Sequence, residues 1–221
     1  MKRLIPTATV LVVLAAAALA QAGISVYKTS FSSRADYKSV QTLVRSSGAC
    51  DREWRNKSAL GVKVKGGPAD CVFVTPVEGD SKRPDQIVKV IGKVTKGTDD
   101  KVRETTYVGV TVRANKKEGY ELRVFPKPRR WQLIKNGDVI AQDRDKRIEG
   151  LAKKNKIEIQ AVGSSITAKV NGKRMKQFKD KDAEQVGGRK TGVTFGDRKD
   201  SKKAKGEGFF DKLKVQVPVP G

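Results

Sequence analysis

The chain has 221 residues and no histidine. Without histidine neither a Ser-His-Asp triad nor a Cys-His pair can be built. Any proton transfer must therefore rest on carboxylates, lysine or tyrosine. Two acidic runs come nearest to a paired-carboxylate site. Asp143, Asp145 and Glu149, in "DRDKRIE", lie in polar sequence of mixed sign, which reads as a solvated turn between strands. Asp180, Asp182 and Glu184, in "KDKDAEQ", offer oxygens of the kind calcium takes. Lys176, Lys179 and Lys181 raise the local positive potential there, so no metal is expected. Cys50 and Cys71 are the only cysteines. Two cysteines alone make a poor zinc site, and in an oxidising compartment they form one disulfide. No cofactor and no catalytic residue is expected.

Cations dominate the remaining chemistry. Lysine and arginine number 47 against 24 acidic residues, a net charge of +23. Such a charge speaks about partners rather than fold, and it favours anionic polymers. The binding candidates are Trp54, Arg129, Arg130, Lys173, Arg174, Lys202, Lys203 and Lys205. Trp54 sits between Arg52 and Arg55 inside the Cys50–Cys71 loop, where it either stands exposed to stack on a sugar or packs against the disulfide. Trp131 alternates with Leu133 and reads as core. Tyr107 and Tyr120 occupy strand positions and can also be buried. Lys202, Lys203 and Lys205 belong to "GDRKDSKKAKGEG", residues 196–208, which is too polar to pack and reads as a loop or hairpin tip.

The elements that must position these groups are strands. Leu60, Val62 and Val64 alternate with glycine and lysine, and Val88, Val90 and Val94 oppose Lys89 and Lys93. Val108, Val110 and Val112 repeat the pattern, as do Ile157, Ile159 and Ala161. Period-2 alternation marks half-buried strands. Gly66-Gly67-Pro68, Glu78-Gly79-Asp80, Asn136-Gly137 and Asn171-Gly172 punctuate them. Asn-Gly between two strand-like runs is a tight hairpin turn, because both residues must take positive φ. No segment holds a helical period over three turns. The fold predicted is an all-β, antiparallel sandwich or barrel.

The chain opens Met1-Lys2-Arg3, runs apolar from Leu4 to Ala20, and carries Ala18-Leu19-Ala20 before Gln21. Residues 1–20 thus read as a secretory signal peptide, or as a signal anchor if uncleaved. Either way the rest lies outside the cytoplasm, and only residues 4–20 would touch a membrane. Residues 21–47 form a polar lead-in able to supply an edge strand, and residues 48–221 form the sandwich domain.

The stretch "TYVGVTVRANKKEGYELRVFPKPRRWQLIKNGDVIA" (Thr106 to Ala141) is followed by "NKIEIQAVGSSITAKVNGKRM" (Asn155 to Met175), then "GGRKTGVTFGD" and finally "GFFDKLKVQV". This order resembles the concanavalin A-like lectin/glucanase superfamily, in particular secreted bacterial LamG-like and 3-keto-disaccharide-hydrolase-like modules. The resemblance covers roughly the last half of the chain well. It implies a concanavalin A-like jelly roll whose closing strand returns to the sheet near the start of the domain, with a concave sheet face for ligands. The glucanase branch carries Glu-x-Asp-x-(x)-Glu on one strand, and this chain has no such motif. The function expected is a secreted or surface-associated, non-catalytic module binding a glycan or an anionic cell-envelope polymer, with no specific nucleic acid. The alternatives are a carbohydrate-active hydrolase or lyase of that superfamily, or a membrane-anchored envelope accessory protein.

Overall fold

The computed structural model describes residues 23–44, 49–78, 85–183, 186, 188–201 and 203–218. The expected signal segment, the Gly79-Asp80 turn, Glu184 and Lys202 lie outside the described residues. Among those described, fifteen strands form two antiparallel sheets. The first sheet runs β13 (Lys173–Lys179), β12 (Ser165–Val170), β11 (Asn155–Val162), β6 (Gln86–Val94), β15 (Lys205–Pro218), β4 (Ala59–Lys65) and β3 (Ala49–Arg55). In it β1 (Gly23–Thr29) also pairs with β15. The second sheet runs β10 (Asp138–Arg144), β9 (Arg130–Lys135), β8 (Tyr120–Phe125), β7 (Thr106–Ala114), β14 (Lys190–Asp197), β5 (Ala69–Glu78) and β2 (Gln41–Val44).

The predicted sandwich is what forms, and the alternation explains it. Val88, Val90 and Val94 of β6 and Val215 of β15 meet Val108, Val110, Val112 and Phe195 of the other sheet in one buried core. Each such side chain contributes about 1.5–3 kcal/mol on burial. Trp131 is 4% exposed and joins that core, as its alternation with Leu133 requires.

The lead-in does more than supply an edge. β1 joins the first sheet, β2 joins the second, and a short helix α1 (Arg34–Ser39) carries the chain between them. Ser33 caps α1 by accepting from the Asp36 N–H at 3.0 Å. Phe31, before it, is fully buried. Trp54 of β3 donates its indole N–H to the Phe31 carbonyl at 2.7 Å, and Arg52 lies over the Tyr37 ring. Cys50 of β3 and Cys71 of β5 form the disulfide, which therefore ties one sheet to the other.

Two polar stretches are more ordered than their sequence suggests. Residues 196–208 are not one long tip: Gly196 and Asp197 end β14, and β15 begins at Lys205, leaving a shorter loop between. The small Gly206 and Gly208 are buried on β15, and Glu207 is neutralised by Arg55 and Lys205, so the run can enter the sheet. Likewise Asp143 lies within the edge strand β10, and only Asp145 begins the turn, where it accepts from Arg147.

Asn171-Gly172 is the predicted hairpin turn, with φ of 50° and 80°. The Asn171 side chain also accepts from the Lys156 N–H at 2.8 Å and donates to the Arg147 carbonyl at 2.7 Å. It is a turn residue and a structural bracket at once.

Asp180, just after β13, ties that flank to the second sheet. It accepts from the Tyr120 hydroxyl, from Lys135 at 3.0 Å and from the Asp182 N–H at 3.0 Å. Burial would raise its pKa, but these donors outweigh burial and hold the carboxyl below its ordinary value. A depressed folded-state pKa contributes stability that is present above the unfolded pKa and lost as pH falls through the folded one. Asp180→Asn is therefore expected to lower stability by about 2 kcal/mol at neutral pH. Urea midpoints of the two proteins should converge as pH drops below about 4, the ordinary carboxyl range.

Candidate functional site

Directly opposed residues of an antiparallel ladder share a face. On the second sheet this gives two outward rows. One is Arg144, Arg130, Phe125, Tyr107, Gly196 and Asp70, running from β10 to β5. The other is Gln142, Gln132, Arg123, Gly109, Thr194 and Val72. The centre of this face is built from small residues on β7 and β14, which leave a trough.

Tyr107 fills part of that trough. A Cβ at Gly196 would stand 2.5 Å from the Tyr107 hydroxyl oxygen and 2.1 Å from the Ala69 carbonyl oxygen. Only glycine there lets the Tyr107 ring lie across β14 and donate its hydroxyl to Asp70 on β5. Arg123 stacks over the same ring at 4.6 Å, and Phe125 stands 5.4 Å away on its other flank. Burial raises the Tyr107 phenol well above its ordinary value, so it stays a neutral donor.

Two carboxylates meet on Arg123. One nitrogen of its guanidinium contacts Glu121 at 2.8 Å and Asp70 at 3.2 Å. Glu121 also accepts from the Arg123 Nε at 2.9 Å. Glu121 is 1% exposed. Asp70 is further reached by Arg198 at 3.3 Å, from the loop after β14. Sharing one nitrogen brings these two carboxylates close together, as a paired-acid site would require. Their environment differs, because both negative charges are already matched by arginine.

Toward β9 and β10 the face carries donors instead. Arg130 lies over the Phe125 ring at 4.5 Å. Its Nε is buried and has no hydrogen-bond partner among the described residues. Gln132 and Gln142 are exposed or half-buried beside it and bond to each other at 2.8 Å. Arg129 is exposed at the tip of the β8–β9 turn, with φ of 51°. Lys127 of the same turn lines a cleft of about 460 Å³ with Lys101, Arg103, Thr105 and Lys199. Asp197 and Thr105 hold this rim together through a 2.6 Å hydrogen bond, and Lys199 donates to the Lys101 carbonyl at 3.0 Å.

The structure thus brings Arg129 and Arg130 to one turn, beside the loop that follows β14. Lys203 is exposed in that loop. Lys205 is in β15, with its ammonium on Glu207 at 3.1 Å. Lys173 and Arg174 lie far from the rim in the first sheet, exposed on its edge strand β13. Trp54 is also in the first sheet, half-buried. Asp70, Tyr107, Glu121 and Arg123 were not singled out as a site by sequence. Their signal was the polar side of "YELRV", where Glu121 and Arg123 alternate with Leu122.

Arg123→Met is expected to leave Asp70 and Glu121 buried without their shared cation and to cost about 3 kcal/mol. Urea unfolding of that variant, beside an Arg123→Lys variant that restores part of the loss, measures it.

No protein-family model matches the chain, and no curated protein matches it in sequence. Solved structures do match in fold. A Bacillus subtilis protein of unknown function with a galectin-like fold superposes with a TM-score of 0.64 at 12% identity, covering 90% of this chain and 98% of its own. Carbohydrate binding module CBM66 from Bacillus subtilis gives 0.59 at 14% identity, over 81% of this chain and 96% of its own. A prokaryotic beta-1,3-1,4-glucanase (lichenase) from a mouse hindgut metagenome gives 0.61 at 11% identity, over 87% and 99%. At these identities the likeness is one of fold: a galectin-like, concanavalin A-like sandwich.

Proposed function

We propose that this protein is a non-catalytic binding module for a glycan, neutral or anionic, held on the outer face of the second sheet near β9 and β10 and at the adjoining basic rim. The observation that carries this reading is Arg130, whose half-exposed guanidinium is stacked in place on Phe125 and has no hydrogen-bond acceptor among the described residues. A cation held in position with donors open to solvent suits a ligand acceptor. Gln132, Gln142 and Arg144 add donors along the same face. Lys101, Lys127 and Lys199 add attraction for acidic groups. A carbohydrate-binding module of the same fold supports the glycan reading. The basic, then apolar, first 20 residues support export, with the module acting at the cell envelope.

A hydrolase or lyase is the second reading, and the closeness of Asp70 and Glu121 favours it. The match of both charges by Arg123 weighs against it, since a general acid or nucleophile needs a carboxylate free to change its proton or bond.

The test is a binding screen of the full chain against neutral and acidic polysaccharides at low and moderate salt. Saturable binding that persists at moderate salt is expected. Arg130→Met should weaken it by about tenfold or more, the loss of a charged hydrogen bond, with unfolding unchanged. Release of oligosaccharides by the wild type that Glu121→Gln abolishes would establish the enzyme instead. Binding to every polyanion that vanishes with salt would reduce the function to charge alone.

A further inference from the structure

The outer face of the first sheet carries a second charged feature. Lys28 of β1 is registered against Lys214 of β15, and Lys214 against Lys89 of β6. Lys89 is opposite Glu158 of β11, Glu158 opposite Lys169 of β12, and Lys169 opposite Arg174 of β13. Six adjacent strands therefore present an unbroken row of charge at one level, five of the six positive. Neighbouring strands lie about 4.8 Å apart, so Lys28, Lys214 and Lys89 follow one another at that step.

The ladder is not explained by folding. Like charges directly opposite one another destabilise a sheet, and Lys28, Lys214 and Lys89 are three in succession. Glu158 relieves only part of this, pairing with Lys89 at 3.3 Å and Lys169 at 3.2 Å. At the β1 end the same face holds a groove of about 610 Å³, whose lining includes Lys28, Lys89, Lys156, Lys212, Lys214 and Glu158. Among the described residues no carboxylate lies within ion-pair reach of Lys28, Lys156, Lys212 or Lys214. The β1–β15 pairing creates the feature: β1 brings Lys28, and the bulge at Lys212, with φ of 51°, turns a second lysine into the same recess.

We propose that this groove is a binding site for a linear carboxylated polysaccharide, separate from the face that holds Arg130. Charge complementarity selects a polyanion. The recess selects a chain over a bilayer, because the lysines line a depression that a strand of sugars can enter and a flat surface cannot. The step between cations is close to the length of one sugar ring, so successive uronate carboxylates can meet successive lysines. Two sites on opposite sheets would let one molecule cross-link two polymers.

The probe is a fluorescent oligogalacturonate, titrated into the full chain at moderate salt. Two triple variants carry the same charge change: Lys28→Gln/Lys156→Gln/Lys214→Gln in the groove, and Lys101→Gln/Lys127→Gln/Lys199→Gln at the rim. The groove variant should lose affinity by about tenfold or more, the size that loss of close charge pairs produces. The rim variant should lose less than half as much on a logarithmic scale. Equal losses, or no saturable binding by the wild type, would overturn the proposal. So would wild-type binding to phosphatidylglycerol vesicles in place of the oligogalacturonate. Neutral-glycan binding by the groove variant, measured in parallel, reports on the Arg130 face by itself, so failure of one site is not confused with failure of the other.

Discussion

β15 bonds to β4 along its first half, to β6 on its other side, and to β1 over its second half. The last strand in sequence is thus an interior strand of the first sheet. The pairing of β4, β6 and β1 with one another's neighbourhood exists only through it, and so does the wall on which the second sheet packs. Such pairings join residues far apart in the chain, which makes the entropy of loop closure a large part of the cost of folding. The buried glycines and matched charges of its first residues follow from this position. The first half of this strand has no room for a bulky group where Phe195 approaches, and Gly208 stands against that ring.

The two outer faces then differ for local reasons. On the second sheet β14 presents Gly192, Thr194 and Gly196 outward, and larger neighbours fall inward across them. Tyr107 and Arg123 close the centre of that face with their own bodies, and the exposed donors are displaced to β9, β10 and the rim. On the first sheet the outward positions are long and charged, and side chains stand up from the surface.

Much of the architecture was legible in the sequence. Alternation located the core valines, and Asn171-Gly172 announced its hairpin, because both are properties of a few consecutive residues. The end of the edge strand β10 and the start of β15 read as polar connections, since the pairs that hold them come from other strands. Arg129 and Arg130 were picked for their charge, and the stack of Arg130 on Phe125 gives that choice a geometry. The Tyr107–Arg123–Asp70 arrangement was not legible. It needs a glycine on β14, a tyrosine on β7 and an acid on β5 in register, and register is not written in any single segment. The same holds for the alignment of Lys28, Lys214 and Lys89, which joins three strands distant in sequence.

The antiparallel pairing of β1 and β15 sets Gly23 directly beside Pro218. The described chain therefore begins and finishes at one corner of the molecule. A tension applied between these two points would peel β1 from β15, opening hydrogen bonds one after another as a zipper does. It would not shear them all together. The domain should be mechanically weak in that direction and stronger when pulled across the disulfide-linked strands, where the load must be shared.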